Sequence, residues 1–512
     1  MQKLGMQKLG MAPALAGGFM FGALIGLAPV AYGQTAGAAS SSASTAGEVA
    51  HLQEAGKLFP DRGHSVQTPP PVIPQLERDA DPSGFLATYQ PGGPTQTAGN
   101  PFFQNLGTNG RTCLTCHQPA DGWGISAQDV QARFAASAGQ DPLFRLVDGA
   151  TCPSDDVSTP AAQRKAYALL LAKGLIRIGL PFPENPEFSI VAVNDPYGCN
   201  TNPVTGLTSP TSGFVSVYRR PLPATNLGFL SGIMWDGREP SLASQAADAT
   251  LGHAQASQSP TPAQQQQIVA FESGLFTAQI FDNGAKELNA AKASGGPAAL
   301  AGTLTSFYPG INDPFGGDPT GAPFTSNIFT LYGNWGALPG AGPTNAARQA
   351  IARGQQVFNQ TPITITGVQG INDVLGTPSV SGFCATCHDT PNVGNHSLPA
   401  PLDIGIANAG TNSPPALDIS GLPVFTIQCN SGPLAGQVFQ VTDPGRATIT
   451  GKCADIGKLK GPILRGLAAR APYFHNGSAA SLQDVVEFYD QRFNIGLSKQ
   501  QKSDLVAFLN AL

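Results

Sequence analysis

The sequence carries one short motif twice, and this repetition limits the possible folds more than any other feature. The first copy is Cys113-Leu-Thr-Cys116-His117 and the second is Cys384-Ala-Thr-Cys387-His388. Two cysteines separated by two residues and followed by histidine are the attachment signature of a c-type haem. Each thiol can form a thioether with one haem vinyl group, and the adjacent histidine then lies under the iron as an axial ligand. The sequence therefore predicts two covalently bound haem c groups, with His117 and His388 as iron ligands.

A single copy of this motif would leave two other interpretations open. One is a structural zinc knuckle, and the other is a thioredoxin-like redox pair. Two copies, each with histidine directly after the second cysteine, favour haem. Four-ligand zinc sites usually space their second pair of ligands differently, so zinc is the weaker alternative.

The composition of the 512-residue chain fits short helices joined by many loops. Its 61 glycines and 45 prolines are unlike a coiled coil, and 12% charged residues are unlike an acidic tail. The predicted fold class is mainly α, with two cytochrome-c-like haem domains that carry long loop-rich insertions. A net charge of −5 provides no basic surface for nucleic acid, whereas a mildly acidic surface would suit a basic redox partner.

Residues 1–33 have the pattern of an export signal. Lys3 and Lys8 supply positive charge, an apolar run over residues 11–30 follows, and small residues precede Gln34. We therefore expect a cleaved signal peptide, a periplasmic or exported mature protein, and no membrane span after cleavage. The alternative is a retained membrane anchor, since the apolar run is long enough to span a bilayer.

Four cysteines lie outside the two motifs: Cys152, Cys199, Cys429 and Cys453. Export places them in an oxidising compartment, where disulfides form. Four cysteines allow three pairings. The simplest pairing joins sequence neighbours, Cys152 with Cys199 and Cys429 with Cys453.

Changes in composition divide the chain into five segments. Residues 34–99 are rich in alanine, serine, glycine and proline, which predicts a linker or an arm on the surface. The other segments are the signal peptide 1–33, an N-terminal haem domain 100–260, a loop-rich connector 261–340 and a C-terminal haem domain 341–512. Apolar spacing predicts helices at 163–178, 262–276, 345–358, 481–491 and 499–511, and an inserted loop at 179–215.

Few residues can supply further iron ligands. After the N-terminal segment the only methionine is Met234, which nearly excludes the methionine-ligated haem of high-potential electron carriers. No histidine or methionine lies between His117 and Met234, so the first haem lacks an obvious local sixth ligand. Peroxide or dioxygen can reach an open iron, whereas a closed iron mainly moves electrons.

Two further stretches resemble the bacterial di-haem cytochrome c peroxidases and the related MauG proteins. Residues 470–489, Arg-Ala-Pro-Tyr-Phe-His-Asn-Gly-Ser-Ala-Ala-Ser-Leu-Gln-Asp-Val-Val-Glu-Phe-Tyr, are similar to the C-terminal signature of this family. Residues 235–245, which begin Trp-Asp-Gly-Arg, resemble its segment between the haems. With the two haem motifs they follow the family's order from about residue 100 to residue 512. The resemblance implies two haems of unequal role and a peroxidase-type oxidoreductase.

The resemblance also implies a ligand to the second iron, fourteen residues after His475. The peroxidases have methionine at this position and the MauG-like proteins have tyrosine; this chain has Tyr489. A tyrosine oxygen is a hard anionic donor that would lower the reduction potential of the second haem. The alternative is an aromatic side chain that only packs on a helix.

Further candidates follow from the resemblance: Trp235, Gln245, His253, Gln255 and His475. Trp235 would relay electrons between the haems, and Gln245 would line the distal pocket of the first. The family has a glutamate twenty residues after the tryptophan, but this chain has Gln255, which cannot accept and return a proton. We expect His253 to replace that glutamate as distal acid–base group, or to cap the first iron. His475 would hydrogen-bond a haem propionate or water between the haems.

Calcium is a further candidate cofactor, because the family holds a calcium ion between its haems. Its ligands are backbone oxygens near the Pro-Tyr-Phe-His motif and an asparagine fifteen residues before the tryptophan. Pro472 is present, but the asparagine position is Arg220, and Asn226 is out of register. The calcium pattern is therefore incomplete in this chain.

Three functions fit these residues. The leading hypothesis is a periplasmic di-haem oxidoreductase that activates hydrogen peroxide at the N-terminal haem. Electrons would come through the C-terminal haem from a small cytochrome c, a cupredoxin or a protein substrate. The second hypothesis is a di-haem oxygenase that resembles rubber-cleaving enzymes and uses dioxygen. The third is a non-catalytic electron carrier in which both irons have six ligands.

Overall fold

The computed structural model describes residues 69–201, 214–340 and 342–512. The predicted signal peptide, the first part of the predicted linker and part of the predicted loop 179–215 lie outside these ranges. Across the described residues, no helix combines the length and the apolar character needed to cross a membrane.

Most helices begin where serine, threonine or proline favours a first turn. The described α-helices are α1 (Ala127–Ser137), α2 (Pro160–Ala166), α3 (Ala168–Lys173), α4 (Leu242–Gly252), α5 (Pro262–Ser273), α6 (Pro297–Thr303), α7 (Pro343–Gln360), α8 (Ala447–Thr450), α9 (Leu482–Phe493) and α10 (Lys499–Asn510). The predicted helices at 262–276, 345–358, 481–491 and 499–511 are confirmed to within a few residues. The predicted helix 163–178 is wrong beyond Lys173, because Gly174 adopts a left-handed φ of 61° and ends it.

Helix makes up 31% of the structure and strand 17%, so the chain is more helical than extended but holds more strand than predicted. The described strands are β1 (Val72–Ile73), β2 (Leu76–Asp81), β3 (Gly84–Tyr89), β4 (Thr95–Gln96), β5 (Ile176–Pro181), β6 (Phe188–Asn194), β7 (Phe214–Arg219), β8 (Phe276–Asp282), β9 (Lys286–Glu287), β10 (Ile363–Thr366), β11 (Ser379–Gly382), β12 (Val424–Cys429) and β13 (Val438–Val441). They form small antiparallel sheets in the orders β1-β4, β2-β3-β8-β9, β5-β7, β10-β11 and β6-β12-β13.

Residues 69–99 differ from the predicted linker or arm, because they contain β1 to β4. Strand β3 pairs with β8, and Leu86 and Ala87 of β3 are fully buried. The hydroxyls of Thr88 and Thr277 lie 2.9 Å apart across this pair. The partner strand lies 189 residues away in sequence, so local composition could not reveal the pairing.

The predicted inserted loop 179–215 contains β6 and the first residues of β7. Strand β6 pairs with β12, which brings the segment after the first haem motif against the segment after the second. Both simplest disulfides are present, Cys152–Cys199 and Cys429–Cys453, and this prediction is confirmed. The two bridges stabilise the loop-rich insertions on either side of the sheet.

Helices α7 and α10 pack closely behind the second haem motif. Gly354 makes this approach possible, because a Cβ atom there would lie 1.9 Å from the carbonyl oxygen of Asp504. Phe358 and Phe508 are buried between the helices with their rings 6.0 Å apart. Phe358 also lies 6.2 Å from the ring of His388, which places this core directly beneath the motif.

One backbone segment occurs twice, 240 residues apart. Residues 227–253 and 467–493 each contain a short 3-10 helix, a tight turn and a helix that begins after serine, Ser241 or Ser481. The turns are closed by matching bridges, Ile233–Glu239 and Tyr473–Ala479. Even the unusual left-handed residues correspond, Met234 at φ 67° and Phe474 at φ 65°. The repeat aligns α4 with α9, residue by residue.

Candidate functional site

Both Cys-x-x-Cys-His motifs line a single cavity of about 400 Å³ that is partly open to solvent. Ligand pockets are typically about 300–1,000 Å³, so this cavity is of ligand-binding size. Most of its wall is leucine, isoleucine, valine, proline and phenylalanine. The predicted site residues that line it are Cys113, Cys116, His117, Trp235, Gln245, His253, Cys384, Cys387, His388, His475 and Tyr489.

The two motifs have the same local geometry. Each begins with a short 3-10 helix, Cys113–Thr115 or Cys384–Thr386. The threonine hydroxyl accepts a hydrogen bond from the backbone N–H three residues earlier, 3.0 Å in the first motif and 2.9 Å in the second. The histidine N–H then donates to the carbonyl of the first cysteine at 3.1 Å in both. This turn places both thiols and the imidazole on one side of the chain.

Each motif histidine is oriented by a carbonyl six residues further on. His117 Nδ1 lies 2.9 Å from the oxygen of Trp123, and His388 Nδ1 lies 2.6 Å from the oxygen of Gly394. A carbonyl can only accept, so Nδ1 donates and Nε2 keeps its lone pair for the cavity. Burial lowers the pKa of both histidines and favours the neutral ring, which is the form that binds iron.

The four motif thiols are reduced and partly buried. Burial raises the pKa of Cys384 and of Cys387 to about 12, so these groups are neutral thiols. Over the described ranges, no three His, Cys, Asp or Glu side chains converge as a metal site. A structural zinc site needs four such ligands, whereas a haem iron needs only one or two from the protein. The donor set therefore fits haem and does not fit zinc.

Buried cations at the cavity wall also fit haem, whose propionates are anionic. Arg470 donates to the carbonyl of Gly122 at 3.2 Å, but its Nε has no partner. Burial lowers the pKa of Arg470 to about 10 and that of Lys460 to about 8. Neither forms an ion pair with any described residue. A desolvated cation without a counter-ion is costly, and a carboxylate on a bound group would relieve that cost.

Trp235 and His475 occupy equivalent positions in the 240-residue repeat and meet at its centre. Their rings are 6.2 Å apart in an edge-to-face arrangement. Trp235 Nε1 donates to the carbonyl of Arg220 at 2.8 Å, and the N–H of Arg220 donates to the carbonyl of His475 at 2.7 Å. Burial lowers the pKa of His475 to about 4. Neither ring nitrogen forms a hydrogen bond with a described residue, and Nε2 lies 3.7 Å from Asp443 Oδ2. A neutral imidazole therefore faces the indole between the two motifs.

The repeat reveals an asymmetry on the ligand side of the two motifs. Tyr489 on α9 corresponds to Ala249 on α4, and both line the cavity. Tyr489 packs against the same hydrophobic cluster as Cys384 and Cys387, so the phenol lies near the second motif, and burial raises its pKa. No described residue hydrogen-bonds its hydroxyl. The second motif therefore faces an oxygen donor, and the corresponding helix position near the first carries only a methyl group.

Polar groups line the cavity on α4 where α9 has apolar ones. Gln245 corresponds to Val485, and His253 corresponds to Phe493. His253 Nδ1 lies 2.5 Å from Asp148 Oδ2. His253 and His117 both line the cavity, and burial lowers the pKa of His117.

Gln255 lies outside the cavity, in contrast to its prediction as a site residue. Helix α4 ends at Gly252, and Gln255 adopts a left-handed φ of 54° that turns its side chain toward solvent. Its Oε1 accepts a hydrogen bond of 3.3 Å from Asn109, and its carbonyl accepts one of 2.9 Å from Thr108. The helix ends three residues before Gln255, and its C-cap residue His253 lines the cavity instead.

Arg220 stands where the family pattern has a calcium-binding asparagine. Its guanidinium donates to three backbone carbonyls: Lys173 at 2.9 Å, Ile125 at 2.6 Å and Arg470 at 3.1 Å. The next residue toward the N-terminus, Arg219, is fully buried between Asp443 and Asp236. The region between the motifs therefore carries its own cations.

Three residues of the site were missed in the sequence. Asp148 is 105 residues from His253, and no local pattern connects them. Arg220 was noted only as a departure from the family. Ala249 could have been found, because aligning the Ser-Leu pairs at 241 and 481 brings Ala249 opposite Tyr489.

The cavity, the repeated turn and the oriented histidines together fit c-type haem as the group held at this site. No family model matches the chain. The cytochrome-c peroxidase IdrP1 of Pseudomonas sp. (strain SCT) is 42% identical over 81 residues, 14% of this chain and 21% of that protein. The cytochrome-c peroxidase IdrP2 of Denitromonas iodatirespirans is 44% identical over 78 residues, with the same shares. The cytochrome c551 peroxidase of Nitrosomonas europaea is 34% identical over 99 residues, 17% of this chain and 30% of that protein.

These relatives are matched over about a fifth to a third of their length. The resemblance to cytochrome-c peroxidases is confirmed over those stretches. Two solved structures are also similar: a hydrazine synthase of Kuenenia stuttgartiensis and a MauG-like protein associated with microbial copper homeostasis. The first is 16% identical with a TM-score of 0.29, over 58% of this chain and 73% of the other. The second is 17% identical with a TM-score of 0.27, over 59% and 77%. TM-scores this low do not establish a shared fold.

Proposed function

We propose that the chain is an exported di-haem c-type oxidoreductase that reduces hydrogen peroxide at the first haem. The second haem passes electrons from a small redox protein, a cytochrome c or a cupredoxin, or from a protein substrate. The proposal draws on the two equivalent attachment motifs in one cavity and on the partial similarity to cytochrome-c peroxidases. The net charge of −5 would favour a basic donor.

The observation that carries this proposal is the asymmetry of the repeat. Tyr489 supplies an oxygen donor beside the second motif, so the second haem would be closed and suited to electron transfer. Ala249 at the corresponding position leaves room beside the first motif. Gln245 and His253 make the wall there polar, as a site for a small hydrogen-bonding oxidant requires.

A haem held at the first motif would bind peroxide and supply the electrons that break the oxygen–oxygen bond. The protein's task is to move one proton. His253 Nε2 accepts a proton from the peroxide oxygen nearer the first motif and returns it to the departing oxygen, which leaves as water. Gln245 can donate a hydrogen bond from its amide and so orient the peroxide. Two electrons and two protons convert each peroxide to two waters.

Trp235 and His475 lie on the proposed electron route. The two rings are in edge-to-face contact, so they can act together as one electron relay. The neutral state of His475 avoids a positive charge beside an oxidised indole. The hydrogen bond from the indole N–H to Arg220 fixes the ring in place.

Arg220 replaces calcium in this proposal. Its guanidinium already satisfies three carbonyl oxygens of the type that calcium would bind. We therefore expect chelation, or added calcium, to leave the visible spectrum and the peroxide reaction of the wild type unchanged. An Arg220→Gln variant should lose peroxide activity, because the carbonyls of Lys173, Ile125 and Arg470 lose the cation that joins their segments beside the site. Activity that falls on chelation of the wild type would contradict the assignment.

A non-catalytic electron carrier is the second candidate, and one observation favours it. His253 and His117 line the same cavity, so His253 is a candidate second ligand to the iron beside His117. The ferric electron paramagnetic resonance spectrum separates the two functions. We expect two covalent haems by mass spectrometry and pyridine haemochrome, one high-spin and one low-spin signal, and rapid reaction with peroxide. Two low-spin signals and no reaction with peroxide would support the electron carrier instead. Oxygen uptake with polyisoprene, but no reaction with peroxide, would instead identify the oxygenase.

A further inference from the structure

Asp148 is a fully buried carboxylate that binds the ring of His253 on the side away from the cavity. Its Oδ2 lies 2.5 Å from His253 Nδ1, and its Oδ1 accepts from Arg111 Nη1 at 2.5 Å. Burial alone raises the pKa of Asp148, but the charges of Arg111 and His253 outweigh this, so its pKa lies below the usual value. The carboxylate is therefore ionised and can only accept a hydrogen bond.

A second set of contacts holds the backbone of His253. Asn109 Nδ2 donates to the His253 carbonyl at 2.8 Å, and the Thr108 N–H donates to the Ala254 carbonyl at 3.1 Å. Gly107 is needed for this approach, because a Cβ atom there would lie within bonding distance of the Ala254 oxygen.

Arg111 joins this arrangement to the first haem motif, since it stands two residues before Cys113. Its guanidinium also donates to the carbonyls of Pro142, Leu143 and His253 at 2.8, 2.7 and 3.3 Å. The segment that carries the motif and the loop that carries Asp148 are thus fixed to one another.

We propose that Asp148 is a positioning residue that holds His253 with its proton on Nδ1 and its Nε2 lone pair toward the first haem. This inference rests on the proposed function, in which Nε2 receives the peroxide proton. When Nε2 accepts a proton, the imidazolium is stabilised by the adjacent carboxylate, and Asp148 itself stays ionised. Arg111 keeps the carboxylate in place.

Hydrogen cyanide is a suitable probe, because it must give up its proton to bind as the anion. The variants are Asp148→Asn, His253→Gln and the matched control Asp141→Asn. Asp141 is also a buried carboxylate, paired to Arg133 at 3.0 and 2.6 Å, but it contacts no histidine and does not line the cavity. All proteins are compared with both haems attached.

We expect the rate of cyanide binding to the first ferric haem to fall about ten- to a hundred-fold in Asp148→Asn. His253→Gln should slow it by about a hundred-fold or more. Asp141→Asn should bind cyanide as the wild type does, although its stability falls. If Asp148→Asn does not load haem, Asp148→Glu with Asp141→Glu as control gives the same comparison, because the charge opposite Arg111 is kept while the carboxylate moves.

Two results would overturn the inference: wild-type cyanide binding in the Asp148 variant while His253→Gln is slow, or equal slowing in the Asp141 control. Failure of the proposed function looks different. In that case the wild type does not reduce peroxide, yet the Asp148 and His253 variants still change the cyanide rate and the ferric spectrum of the same haem.

Discussion

Replacement of Ala249 by tyrosine should close the first haem and slow its reaction with peroxide by at least about a hundred-fold, or ~2.7 kcal/mol in the barrier. The reason is the 240-residue repeat, in which Ala249 of α4 and Tyr489 of α9 hold equivalent positions on one cavity. A phenol at 249 places an oxygen donor where peroxide must enter. The measurement is stopped-flow spectroscopy with peroxide, together with the ferric electron paramagnetic resonance spectrum, in which the high-spin signal should disappear.

Two variants separate ligation from simple obstruction. Ala249→Phe adds the ring without the oxygen, so it should hinder peroxide but leave the ferric signal high-spin. Tyr489→Phe is the mirror experiment at the second haem, and it should add a new high-spin signal while the first haem keeps its spectrum. An Ala249→Tyr protein that reacts at the wild-type rate with an unchanged spectrum would show that the repeat does not place residue 249 beside the first iron.

Local chemistry made part of this site predictable. The Cys-x-x-Cys-His spacing specifies its own turn, and the turn is indeed the same at Thr115 and Thr386. The disulfides join sequence neighbours, and capped amphipathic helices such as α10 form where Ser498 and Gln501 exchange hydrogen bonds. Each of these features depends on residues within a few turns of chain.

Features that depend on distant partners were not predictable in the same way. Strand β3 is buried only because β8 pairs with it, and the alanine- and proline-rich composition around it suggested a linker instead. The contact of Asp148 with His253 and the three carbonyls around Arg220 likewise join segments far apart in sequence. Gln255 followed from a family spacing, but the end of α4 at Gly252 moves that position to the surface.

The second large effect concerns the buried ion group between the motifs. Arg219 Nε and Nη2 donate to Asp443 at 2.7 and 2.9 Å, and Nη1 donates to Asp236 at 2.5 Å. All three side chains are almost fully buried. Arg219→Met leaves two buried carboxylates without this cation, so we expect a loss of about 3–5 kcal/mol in the free energy of unfolding. Urea unfolding of the haem-loaded protein measures it.

Arg353→Met is the matched control, because Arg353 makes an equally close pair with Asp504 at 2.8 and 2.9 Å but is half exposed. Asp504 is itself buried, but solvent reaches Arg353 and Gln500 still donates to Asp504 at 3.0 Å, so the loss should be smaller, about 1 kcal/mol. Equal losses in the two variants would contradict the role given to the buried group.

The pH dependence gives an independent check with a definite sign. Although burial alone would raise it, the charge of Arg219 lowers the pKa of Asp443 from 3.8 to about 2 in the folded protein. A depressed carboxyl pKa contributes stability that is complete above the unfolded value and is lost as the pH falls from about 4 toward 2. The wild type should therefore lose stability steeply in that window. In Arg219→Met the carboxylates no longer have this stabilising cation. The difference in the free energy of unfolding between this variant and the wild type should therefore be largest near neutral pH and should shrink in acid. Because Arg219 precedes the residue that holds the Trp235 indole, the same variant should also slow electron transfer between the haems.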